Sequence, residues 1–147
     1  MIKYGRGFTL IELMIVVAVV GILAAISMPF LHANTLKSQV NRAASELSGY
    51  RSAFESNISG AGVVTNETLG YTPSSLTTGG ASTQIATVNA DGSGHIEVTM
   101  GGTAHPNLAG VVIRHERSAT GIWSCVIDRT AVSEWTARLM PPGCTEI

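Results

Sequence analysis

From Phe8 to Leu31 the chain is an apolar run, with Glu12 as its one ionisable side chain. Between Leu13 and Leu31 there is no charge, and Ser27 is the lone hydroxyl. Crossing a bilayer core as a helix takes about 20 apolar residues, so the run is long enough to span. Polar residues then enter with a helical period. Leu36, Val40, Ala43, Leu47, Tyr50, Phe54 and Ile58 recur at steps of three and four, while Lys37, Arg42, Glu46, Arg51 and Glu55 fall on other faces. The pattern predicts one helix over residues 8–58, apolar all round in its first half and amphipathic in its second. At 1.5 Å per residue it would run roughly 75 Å, with half of it extending beyond a globular head. Arg42/Glu46 and Arg51/Glu55 are each four apart and predict helix-face ion pairs. Ser59-Gly60-Ala61-Gly62 supplies the stop.

Residues 59–83 are rich in Gly, Ser and Thr and read as a connecting loop, with turns at Thr72-Pro73-Ser74-Ser75 and Thr77-Thr78-Gly79-Gly80. Leu69 and Tyr71 are expected to tuck part of it onto the head. The period then changes to two. Gln84 to Asn89, His95 to Met100, Gly110 to Arg117 and Gly121 to Ile127 each read as a strand bounded by turn residues. Short links predict an antiparallel meander, with Ile96, Val98, Met100, Val111 and Ile113 facing the helix stripe. Trp123, Cys125 and Ile127 share a strand face. The fold class is α+β: a long N-terminal helix, half transmembrane and half packed on the head, against a four-stranded antiparallel sheet. The tail, 128–147, closes the chain as a C-terminal disulfide-bounded loop.

Composition adds the compartment. The chain has 147 residues and net charge −1, and its two cysteines, Cys125 and Cys144, lie beyond the apolar segment. An even cysteine count in an exported domain reads as a disulfide. It would close a loop of about twenty residues, worth roughly 3 kcal/mol.

Ahead of the apolar run stands a basic heptapeptide, Met1 to Gly7, charged at Lys3 and Arg6. An ordinary secretory signal is cut after its apolar region. Here a cut after Gly7 would retain the apolar segment, starting at Phe8 with Glu12 as its fifth residue. Gly7-Phe8-Thr9-Leu10-Ile11-Glu12 resembles the N-terminus of type IV pilins, and the Gly121-Ile122-Trp123-Ser124-Cys125 pattern closing at Pro142-Gly143-Cys144 resembles the C-terminal disulfide loop of type IVa major pilins. The resemblance implies cleavage between Gly7 and Phe8 by a prepilin peptidase, N-methylation of Phe8, and removal of a 1–7 leader. Without Lys3 and Arg6 the side chains sum to 7 basic and 10 acidic, net −3.

Glu12 sits where a charge costs on the order of 3 kcal/mol. It is expected to pair with the Phe8 amine of a neighbouring subunit and set axial register. Gly21 and Pro29 bracket a segment that either kinks or melts when subunits pack; the family supports melting. The divisions are then 1–7, the leader; 8–31, the assembly helix; 32–58, its amphipathic half; 59–83, the loop; 84–127, the sheet; and 128–147, the disulfide region.

The resemblance implies a homo-oligomeric helical filament, drawn from an inner-membrane pool and displayed outside the cell. It implies extension and retraction by a platform protein and ATPases, with roles in twitching, attachment and DNA uptake. The alternatives are a minor pilin, a DNA-capturing pilin using Arg114, Arg117, Arg129 and Arg138, or a type II secretion pseudopilin. Major pseudopilins tend to carry a calcium loop where this chain has its cysteines. No nucleophile–base–acid set is apparent, so no catalytic residue is assigned. The histidines His32, His95, His105 and His115 are scattered, and neither a metal nor a cofactor is expected. Asp91-Gly92-Ser93-Gly94 reads as a hairpin turn. Asn57-Ile58-Ser59 and Asn66-Glu67-Thr68 match the glycosylation pattern and are taken as coincidence.

Overall fold

The computed structural model describes residues 7–60 and 62–147. Lys3, Arg6 and all of the leader but Gly7 lie outside the described residues. The chain divides into two compact units between Asn34 and Thr35, a point inside its first helix.

Helix α1 runs Leu10–Ser48, continuous through Gly21 and Pro29. In the first unit its side chains are exposed all round, from Leu10 at 75 % to Leu31 at 61 %. An 18-residue window there has a mean hydropathy of 2.7. The Ser27 hydroxyl is satisfied by the Ala24 carbonyl at 3.1 Å, so the segment carries little unmet polarity.

In the second unit the amphipathic stripe is buried as its period demands: Leu36, Val40, Ala43, Ala44 and Leu47 all lie in the core. The predicted single helix is interrupted at Gly49 and Tyr50, and α2 resumes at Arg51–Ser59. Gly49 N–H donates to Glu46 and Tyr50 N–H to Leu47, each three residues back. This 3₁₀ tightening ends the α ladder. It also turns the Tyr50 ring onto Tyr71, edge to face with centroids 5.5 Å apart. The Tyr50 hydroxyl meets both the N–H and the carbonyl of Thr72.

The 59–83 stretch is less loop-like than its composition predicts. Helix α3, Asn66–Leu69, is closed by a reciprocal cap between Thr65 and Thr68 and ended by Gly70 at φ 65°. A threonine at the third helical position replaces the usual Glu or Gln, which hides the signal. Asn66 is buried, and its amide donates to the carbonyls of Ala81 and Thr83 while its oxygen accepts from Ile85 N–H. Leu69 is buried as expected.

The four predicted strands appear, their ends trimmed or shifted by one or two residues: β1 Ala86–Val88, β2 Gly94–Thr99, β3 Val112–Arg117 and β4 Trp123–Asp128. They pair antiparallel in sequence order. A fifth strand, β5 Cys144–Glu146, runs parallel to β4 and corrects the four-stranded count. Three residues of Cys-Thr-Glu carry no alternation by which to be read, and a tertiary crosslink brings them to the edge.

Ile96, Met100, Val111, Ile113 and Ile127 are fully buried against the helix stripe and Phe54. Each such side chain contributes roughly 1.5–3 kcal/mol. Gly94 permits the closest approach: a Cβ there would collide with the Thr87 carbonyl and sit 3.1 Å from the Phe54 ring.

Candidate functional site

The N-terminal site is built on the first turn of α1. Thr9 is its cap, and Glu12 N–H donates to Thr9 Oγ1 at 3.2 Å. In return, Thr9 N–H and its hydroxyl both donate to Glu12 Oε2, at 2.9 and 2.8 Å. This is a reciprocal capping box, and the carboxylate also lies at the positive end of the helix dipole. Thr9 was not singled out from sequence, although Thr-x-x-Glu ahead of an apolar run is the signature. Glu12 is exposed, and Oε1 takes no bond from the described residues. Gly7 and Phe8 precede the helix and are exposed. A Cβ on Gly21 would meet nothing within 4 Å.

At the other end of the chain Cys125 and Cys144 are bonded, with Cα atoms 4.4 Å apart. They are register partners on β4 and β5, so the crosslink fastens the C-terminal strand to the sheet edge.

Three of the four candidate DNA-binding arginines are engaged by acids of the head. Arg117 donates through Nε and Nη2 to both oxygens of Glu55, and through Nη1 to the Gly92 carbonyl. Its side chain is 12 % exposed. Arg114 pairs with Glu97 at 2.7 Å and lies 3.5 Å from Glu116. Arg129 pairs with Glu146 at 3.1 Å. Arg138 stays exposed. The helix pairs divide likewise. Arg42–Glu46 forms at 2.7 Å. Arg51 instead donates to the Ser48 carbonyl, because Glu55 is taken by Arg117 and by the Trp123 indole at 2.7 Å. The Arg117 bond, followed by that from Trp123, holds the Glu55 carboxyl below its ordinary range against the effect of burial.

His115 is the one histidine in the core. Its Nε2 lies 3.3 Å from the Ala44 carbonyl, and burial lowers its pKa. His105 caps a short 3₁₀ turn, accepting from Asn107 N–H. His95 lies 3.9 Å from Glu97. No group of three metal-ligating side chains is found among the described residues. The Asp91 turn forms as read, its carboxylate accepting from Ser93 N–H and hydroxyl. Both sequon asparagines are engaged by the fold: Asn57 Nδ2 donates to the carbonyls of Ala53 and Thr68, and Asn66 is buried.

Comparison with known proteins gives two matches to family models. Residues 36–145 match the model described as pilin, a bacterial filament protein, and residues 2–28 match the prokaryotic N-terminal methylation motif. The chain is 40 % identical to fimbrial protein Q of Moraxella bovis, over 96 % of this chain and 98 % of that one. It is also 40 % identical to a fimbrial protein of Pseudomonas aeruginosa, over 97 % of each. To the type IV major alpha-pilin of Moraxella bovis it is 34 % identical, over 96 % of this chain and 97 % of that one.

Proposed function

Because the chain belongs to the pilin family of bacterial filament subunits, we propose that it is the repeating subunit of a retractable type IV pilus. A prepilin peptidase removes residues 1–7 between Gly7 and Phe8, and the new amine on Phe8 is methylated. The subunit waits in the inner membrane and enters the filament when a platform protein and cytoplasmic ATPases drive assembly. Its role is structural. Twitching, surface attachment and DNA uptake are the uses such a fibre serves.

The observation that carries this reading is the exposed apolar length of α1 with a capped carboxylate at its first turn. Lipid tails are as apolar as leucine, so trading lipid for sibling helices gains chiefly packing. A charge in that setting must find a partner. Thr9 occupies one oxygen of Glu12, which leaves Oε1 for the Phe8 amine of the next subunit. The pairing fixes how far each subunit slides along its neighbour. Pro29 has no N–H to give the Ala25 carbonyl, and Gly21 is the weakest helix former nearby. The segment between them is where helix melts on assembly.

Direct DNA capture does not rest on Arg117, whose guanidinium is engaged by Glu55 and the Gly92 carbonyl.

Glu12→Val tests the reading. The variant is expected to insert in the membrane and to be cleaved, yet to yield few or no filaments. Undiminished polymerisation would overturn the register role of Glu12.

A further inference from the structure

A groove of about 600 Å³ lies between the 41–48 face of α1 and the cysteine-closed tail. Asn41, Ala44, Ser45 and Ser48 form one wall, Pro141, Pro142 and Gly143 the other, and His115 lies between them. Two side-chain atoms on it are buried without a hydrogen-bond partner: Asn41 Oδ1 and His115 Nδ1. His115 is 6 % exposed. Its Nε2 faces a carbonyl, which only accepts, so the proton of the neutral ring sits on Nε2 and Nδ1 is a bare acceptor.

We infer that His115 and the Pro141–Gly143 wall form an acid-released latch, in which protonation of the ring lifts that wall from α1 and opens the groove to water. A second proton would place a full charge in a buried site, where the unpartnered acceptor on the groove, Asn41 Oδ1, is a neutral amide oxygen that could take an N–H but not offset the charge. The charge has no compensating partner. Among the described residues Arg51 is the one charged side chain lining the groove, and it is positive. Cys125 and Cys144 are disulfide-bonded and do not titrate. Burial and Arg51 both favour the neutral ring, opposed by the Ala44 carbonyl. Burying an unpaired charge is costly, so an imidazolium moves toward water by the cheapest route.

That route is the tail wall. Pro141 and Pro142 have no N–H, so neither donates a backbone hydrogen bond to hold the wall. The flanking ties are local: Met140 N–H to Ala137 and Cys144 N–H to Pro141. The α1 wall, by contrast, is a helix packed on the core. The disulfide still pins Cys144 to β4, so the latch opens without releasing the strand.

The inference does not depend on filament assembly. Its test is hydroxyl-radical footprinting, read by mass spectrometry, of the full chain in detergent at about pH 7.5 and about pH 5, bracketing the histidine range. Labelling of His115 and Pro141, both buried in the closed form, is expected to rise severalfold at the lower pH, while Pro142, exposed already, should change little. Phe54 and Leu108, in the core, should stay protected. His115→Gln keeps a donor for the Ala44 carbonyl but cannot take a second proton, so its footprint should not change with pH. Unchanged labelling in the parent chain overturns the latch. So does a rise that includes Phe54 and Leu108, or an equal rise in His115→Gln.

Discussion

Arg117 and Glu55 stand 62 positions apart in the chain and share two parallel hydrogen bonds, at 2.7 and 3.0 Å. The pair ties α2 to the β3 end of the sheet, and Trp123 joins it through its indole N–H. Above it, Phe54 and Trp123 pack edge to face with centroids 5.2 Å apart. Removing Glu55 would leave the Trp123 indole N–H without its partner and Arg117 with only its bonds to the Gly92 and Ser118 carbonyls. Glu55→Ala should destabilise the head by about 1–3 kcal/mol, the lower part of that range applying because Glu55 is partly exposed. Urea unfolding of the full chain in detergent measures it. Arg117→Ala should show a similar loss of stability and no selective loss of DNA affinity.

The same pair predicts a response to acid. Glu55 is depressed from its ordinary value of 4.5, so its contribution is complete above that value and lost as pH falls through the depressed one. His115 is depressed from 6.5, with the same proton bookkeeping: the unfolded chain binds a proton there that the folded chain refuses. Stability should therefore fall in two stages, the first beginning as pH drops below 6.5 and the second below 4.5. Urea midpoints against pH should lose the first stage in His115→Gln and the second, in part, in Glu55→Gln.

The disulfide fastens a three-residue edge strand whose other ties include its short ladder to β4 and the exposed Arg129–Glu146 pair. Replacing both cysteines by serine should cost about 3 kcal/mol on the loop-entropy account. Amide exchange should rise first at Thr145, whose strand pairs only with β4, while β2 and β3 remain protected.

Gly94 is a steric requirement of the first hairpin. Gly94→Ala must shift the backbone at the Thr87 carbonyl and also press on the Phe54 ring. The expected cost is about 1–3 kcal/mol, in the range of overpacked cores, and thermal unfolding reads it.

Much of this architecture is legible because its signals are periodic. The stripe from Leu36 through Leu47 and Phe54 is buried where helical spacing puts it, and Ile96, Val111, Ile113 and Ile127 are buried where alternation puts them. What escapes is set by single local choices. Gly49 ends a ladder that the apolar period alone would continue. Thr68 completes a cap with a hydroxyl where a longer side chain is the usual sign. Thr-x-x-Glu at Thr9 and Glu12 is plain in the sequence, yet the cleavage motif covering the same residues draws the eye first. Glu55 has two cations in reach by sequence, Arg51 nearby and Arg117 far off. The distant one wins because its fork meets both oxygens at once, which spacing cannot show.

The account depends most on the apolar segment being kept and exposed as the first part of the mature subunit. Intact-mass and fragment spectrometry of filaments sheared from the cell surface tests this directly. The predicted product is residues 8–147, carrying one methyl group on the Phe8 amine and lacking two hydrogens for the Cys125–Cys144 bond. Filaments whose subunits retain Met1, or whose subunits begin beyond Ala25, would contradict it.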